Sequence, residues 1–112
     1  MEDVKEFYNK FNADVGKMKE QTPNAVHGFG TLFSKTMAEG AMTVREKELV
    51  ALGIGVAMKC TPCIRLHTKK CLDAGATKEQ ILEAASVAVM MGGGPAYTHV
   101  PVVIDALEAL GQ

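Results

Sequence analysis

Tryptophan is absent, and the chain has two tyrosines and four phenylalanines against seven methionines. With alanine abundant, this composition describes small-faced helices that pack closely. Their apolar stripes read as core rather than as a cofactor box, so no cofactor is expected. Neither sign of charge is in excess: 12 Lys and Arg stand against 13 Asp and Glu, for a formal charge of −1. That balance offers no basic field for phosphate backbones or anionic lipid, so neither nucleic acid nor membrane is an expected partner. No apolar run approaches the length needed to span a bilayer. Met1 is followed by Glu2, Asp3, Val4 and Lys5, without the basic start and apolar stretch of a signal peptide, and the expected compartment is the cytoplasm. There are only three cysteines, which cannot all pair within one chain. In a reducing compartment a C-x-x-C is catalytic or metal-binding more often than structural. A length of 112 residues suits one domain over residues 1–112 with a core of its own.

What is present is helical punctuation. Val4, Phe7, Tyr8, Phe11, Val15 and Met18 follow the spacing of an amphipathic helix. Thr22 and Pro23 read as N-cap and first helical position of a second helix, with Val26, Phe29, Phe33 and Met37 on one face. Thr43 and Glu46 form a capping box that opens a third helix running to about Lys59. The body of that helix, 49–58, is apolar on every side, as suits a central helix walled in by neighbours or by other subunits. Thr61 and Pro62 read as N-cap and first position of a fourth helix, which Gly75 closes after Ala74. Thr77 and Gln80 form a second capping box, opening a fifth helix to Met91. Gly92, Gly93 and Gly94 break it. A last apolar stripe covers Val100, Val103, Ile104, Leu107 and Leu110, with Pro101 as a kink or as the true start. No stretch reads as strand, so the expected fold is an all-α single-domain bundle of about six helices. The three glycines match no phosphate-binding loop, and a tight turn explains them better.

The chemistry concentrates at Cys60-Thr61-Pro62-Cys63, with His67 one turn further on. A cysteine in the first turn of a helix feels unpaired N–H groups and the positive end of the dipole, which favour its thiolate. Cys63 has that placement. Two sulfurs at this spacing can close a small disulfide ring, so one can attack and the other resolve. Positions 63 and 67 share a helix face, which puts a base beside the thiol. Cys71, four residues beyond, reads as a small buried hydrophobe, and His27 as an ordinary surface or core histidine. Glu48 is either an exposed first-turn carboxylate complementing the helix dipole or, turned inward, a poorly hydrated one suited to proton exchange. Two other readings of the cysteines remain open. They could bind zinc or an iron–sulfur cluster together with His67 and Cys71, His99 or Glu48, or their spacing could be accidental.

The order Glu48, then Cys60-x-x-Cys63-x-x-x-His67 twelve residues on, then Gly-Gly-Gly-Pro at 92–95 and a final helix resembles the alkylhydroperoxidase D-like branch of the carboxymuconolactone decarboxylase family. The resemblance spans roughly residues 40 to 110. It implies an all-α homo-oligomer, a trimer or hexamer, and a thiol–disulfide oxidoreductase acting on a small hydroperoxide or disulfide and recharged by a thiol or dithiol reductant. It further implies that Cys63 attacks through a sulfenic acid, that Cys60 donates a proton and resolves, and that His67 with an inward Glu48 relays protons. Pro62 stands where that branch often has histidine, so its reductant and substrate preference do not carry over. Members that decarboxylate muconolactone-type acids generally lack the cysteine pair, and decarboxylation is the runner-up.

Overall fold

A computed structural model of the protein describes residues 3–112. The helices are α1 (Val4–Gln21), α2 (Pro23–Met37), α3 (Val44–Ala57), α4 (Thr61–Asp73), α5 (Lys78–Gly92), the single turn α6 (Gly94–Tyr97) and α7 (Val100–Ala109). No strand occurs among the described residues, and no helix there is long and apolar enough to cross a membrane. The architecture is the expected all-α bundle.

Both capping boxes form. The Thr43 and Thr77 hydroxyls accept the N–H groups of Glu46 and Gln80, whose side chains reach back to the N–H groups of Thr43 and Thr77. The backbone N–H of Thr43, followed by its side chain, holds the Glu46 carboxyl below its ordinary range. Thr22 behaves differently, since its hydroxyl donates back to the Met18 carbonyl and α2 starts on Pro23 without a side-chain cap. Pro101 sits at the beginning of α7 and marks its start, because proline is tolerated in a first turn whose N–H groups lack helical partners. The turn after α5 passes through Gly93 at φ 68° and ψ −149°, a region essentially closed to residues with a Cβ.

The core is built by α3, α4, α5 and α7, where Leu52, Val56, Ile64, Ile81, Val103 and Leu107 are buried. Each such side chain stabilises the fold by about 1.5–3 kcal/mol relative to leaving it in water. Neither α1 nor α2 contributes a buried residue. They cross the outside of the bundle, and α1 docks through Tyr8, whose hydroxyl donates to the Arg65 carbonyl, and Phe7, whose ring lies 5.1 Å from the Arg65 guanidinium. The space beneath these two helices opens onto α4.

Candidate functional site

The link between α3 and α4 is very short, and it places both cysteines. Lys59, just past the end of α3, takes the left-handed conformation at φ 58°. Its N–H donates to the Val56 carbonyl and the Cys60 N–H to the Gly55 carbonyl, the paired bonds of a Schellman closure. The same Cys60 then caps α4, because its sulfur accepts the Cys63 N–H at 3.3 Å. The helix therefore begins one residue earlier than the Thr-Pro signal suggests, with Cys60 rather than Thr61 as N-cap. Proline at the second position is equally free of cost, since its missing N–H has no helical partner. Cys60 and Cys63 are joined by a disulfide, with Cα atoms 5.2 Å apart.

Helices α3 and α4 approach closely at this end. A Cβ added to Gly55 would lie 3.4 Å from the Cys63 Cβ and 3.6 Å from the Ile64 nitrogen, which leaves room for a methyl group but not for a larger side chain. From there α3 leads back toward Glu48 while α4 leads forward toward His67, so the helices run antiparallel and those two side chains meet. Glu48 is turned inward and only 4% exposed. Its Oε1 lies 2.6 Å from His67 Nδ1. One proton is shared between them, and His67 Nε2 is left to the other side of the ring. The ring of Phe33 stacks on the imidazole with centroids 6.1 Å apart.

A cavity of about 810 Å³ lies between α1, α2 and α4. Cys63 and His67 both line it, whereas Cys60 and Glu48 stand behind them and do not. The structure thus brings Glu48, Cys60, Cys63 and His67 into one place and gives only one sulfur access to the cavity.

The remaining candidates fall outside this group. Cys71 is buried in the core, and burial, followed by the charge of Glu48, pushes its thiol up to about 12. It is a packing residue with no thiolate near neutrality. His99 donates through Nδ1 to the Pro95 carbonyl at 2.7 Å and does not line the cavity. Among the described residues, no group of three His, Cys, Asp or Glu side chains is arranged to hold a metal ion. His27 lines the cavity, as do Phe33 and Lys70, and none of the three carried a functional signal in the sequence. Phe33 belongs to an ordinary amphipathic stripe. Lys70 lies on the face shared by Cys63 and His67, a spacing that could have marked it.

The sequence profile of the carboxymuconolactone decarboxylase family matches residues 23–105. The chain belongs to that family. The fold is similar to that of a carboxymuconolactone decarboxylase family protein from Legionella pneumophila in its apo form, with a TM-score of 0.89, 28% identity and 97% of each chain covered. It is also similar to a family member from Thermotoga maritima whose description connects it with an antioxidative response, with a TM-score of 0.83, 27% identity, and 93% of this chain and 89% of that one covered. A relative named for its place as protein 4 in the cox locus of Paracoccus denitrificans is 33% identical over 101 residues, covering 90% of this chain and 91% of its own. The alkylhydroperoxidase D-like branch is consistent with these matches.

Proposed function

We propose that this family member is a cysteine-based thiol–disulfide oxidoreductase that reduces hydroperoxides or small disulfides. One observation carries the reading: a C-x-x-C disulfide at a helix N-terminus shares a cavity with a histidine whose Nδ1 is held by a buried glutamate.

In the reduced protein His67, backed by Glu48, takes the proton of Cys63, whose thiolate is favoured in the first turn of α4. The thiolate attacks the terminal oxygen of the hydroperoxide, forming an S–O bond as the O–O bond breaks. The departing alkoxide takes the proton of Cys60 and leaves as the alcohol. The Cys60 thiolate then attacks the Cys63 sulfenic sulfur, closing the disulfide, and the expelled hydroxide recovers the proton stored on His67 and leaves as water. Two electrons pass from the dithiol to the O–O bond. A thiol or dithiol reductant restores the pair by exchange, which also makes a small disulfide a possible substrate. The Thermotoga maritima relative's link to an antioxidative response supports this reading. Decarboxylation of a muconolactone-type acid would leave the disulfide without a role.

Turnover of hydroperoxide by the reduced protein tests the reading. Cys63→Ser should abolish it together with the loss of two titratable thiols per chain, and undiminished turnover would sink the assignment. Activity on a muconolactone-type acid that survives loss of both Cys60 and Cys63 would favour the decarboxylase instead.

The same reading includes a homo-oligomer, a trimer or hexamer. Val50, Ile54, Val87 and Met91 are exposed around an apolar groove between α3 and α5, with Gly53 and Ala84 at its floor, where a helix of a second copy could approach closely. Sedimentation equilibrium distinguishes these assemblies from a monomer.

A further inference from the structure

The cavity that reaches Cys63 is unusual in its charges. Its walls are mostly apolar, led by Phe11, Phe29, Phe33 and Leu66, and among the described residues no Asp or Glu side chain lines it. Two lysines do, Lys19 from α1 and Lys70 from α4. Lys70 makes no ion pair among the described residues. Its ammonium instead lies 4.9 Å from the centroid of the Phe33 ring, the same ring that stacks on His67. A cation held over an aromatic face at the wall of an apolar cavity, with no carboxylate among the described residues paired to it, is well placed to receive an anion from a ligand.

The geometry also sets a length. Cys63, His67 and Lys70 follow one face of α4, and seven residues of helix advance about 10 Å. A molecule whose anionic end rests on Lys70 would therefore present a group about 10 Å away to Cys63, reaching past His67, with an apolar segment between. A small hydroperoxide would leave most of an 810 Å³ cavity empty, and pockets of this size bind molecules of drug-like bulk.

Resting on the peroxidase reading above, we propose that the substrate is the hydroperoxide of a long-chain fatty acid with a free carboxylate, which Lys70 anchors while the apolar chain lies against Phe29, Phe33 and Leu66. The reaction is the one already balanced: the dithiol becomes the disulfide, and the hydroperoxy acid becomes the hydroxy acid and water.

Two measurements test this, one independent of turnover. Calorimetry on the disulfide form should show binding of linoleate but at least fivefold weaker binding of its methyl ester, and Lys70→Met should reduce that preference to near one while Lys70→Arg keeps it. In turnover, linoleic acid hydroperoxide should exceed its methyl ester in kcat/KM by a similar factor, again only with a cation at position 70. Equal handling of acid and ester by the unmodified protein, no linoleate binding at all, or a preference that survives Lys70→Met would overturn the proposal. If tert-butyl hydroperoxide is reduced but acid and ester are treated alike, the substrate class is wrong and the peroxidase reading stands. If no hydroperoxide is reduced, the peroxidase reading fails, and linoleate binding decides by itself whether the cavity is an anion-anchored apolar site.

Discussion

The sulfur of Cys60 accepts the backbone N–H of Cys63 at 3.3 Å, so the residue proposed to resolve the sulfenic acid is also the N-cap of the helix that carries the attacking cysteine. The two roles can be separated. Cys60→Ser keeps an excellent cap, whereas Cys60→Ala removes it, and both lack the disulfide. Urea denaturation should therefore find the alanine variant less stable than the serine variant by about 1 kcal/mol. Neither should complete a catalytic cycle, and a sulfenic acid trapped at Cys63 by dimedone should accumulate in both.

Lys59 pays a conformational penalty that the other helix ends avoid. The closures of α4 and α7 use Gly75 at φ 91° and Gly111 at φ 83°, while α3 uses a lysine at φ 58°. A side chain in this region costs roughly 1–2 kcal/mol relative to glycine. Lys59→Gly should raise stability by about 1 kcal/mol in denaturant titration, after glycine's greater freedom in the unfolded chain is set against the relief. An unchanged or lower stability would show that the lysine side chain compensates locally.

In the proposed mechanism Glu48 acts through His67, whose Nδ1 it holds, and is a positioning residue. Glu48→Gln keeps a hydrogen-bond partner for Nδ1 but removes the charge that backs a protonated ring. Dithiol oxidation by peroxide should slow by roughly 100-fold, the low end of general acid–base effects. The pH profile of that rate should also change shape, and Glu48→Asp should recover part of the loss. A profile that merely scales down would indicate a structural role only.

Cys71 should be silent in the folded protein. With its thiol pushed up to about 12, native reduced protein should titrate two thiols near neutral pH and three once denatured. The unfolded thiol ionises near 9.0, and the folded one retains its proton. Stability from this group is therefore complete below pH 9 and lost as pH rises toward 12, by at most about 1.4 kcal/mol per pH unit. With the Cys60–Cys63 disulfide kept oxidised, Cys71→Ala should flatten that alkaline slope.

The sequence by itself determined the helices and the adjacency of Cys60, Cys63 and His67. Those features rest on bonds within a few residues: the Thr43–Glu46 and Thr77–Gln80 boxes each close over three positions, and the 63–67 spacing is one helical turn. Even here the sequence signal erred by one residue at Thr61, because a sulfur acceptor at Cys60 is not among the residues that usually announce a cap. The left-handed Lys59 was equally invisible, since the local expectation at such a position is glycine. The tertiary structure shows the contact itself, Glu48 Oε1 on His67 Nδ1 from 19 residues away, and it alone decided that Phe33 stacks on the imidazole while carrying Lys70 on its face. The spacing alone left Glu48 equally compatible with a solvated first turn, and only the family resemblance implied its inward orientation, while Phe33 was compatible with any apolar stripe. Their roles depend on how closely α3 approaches α4 at Gly55 and on where α2 crosses α4. Those are packing outcomes of helices distant in sequence, and no periodicity along one helix encodes which neighbour its faces will meet.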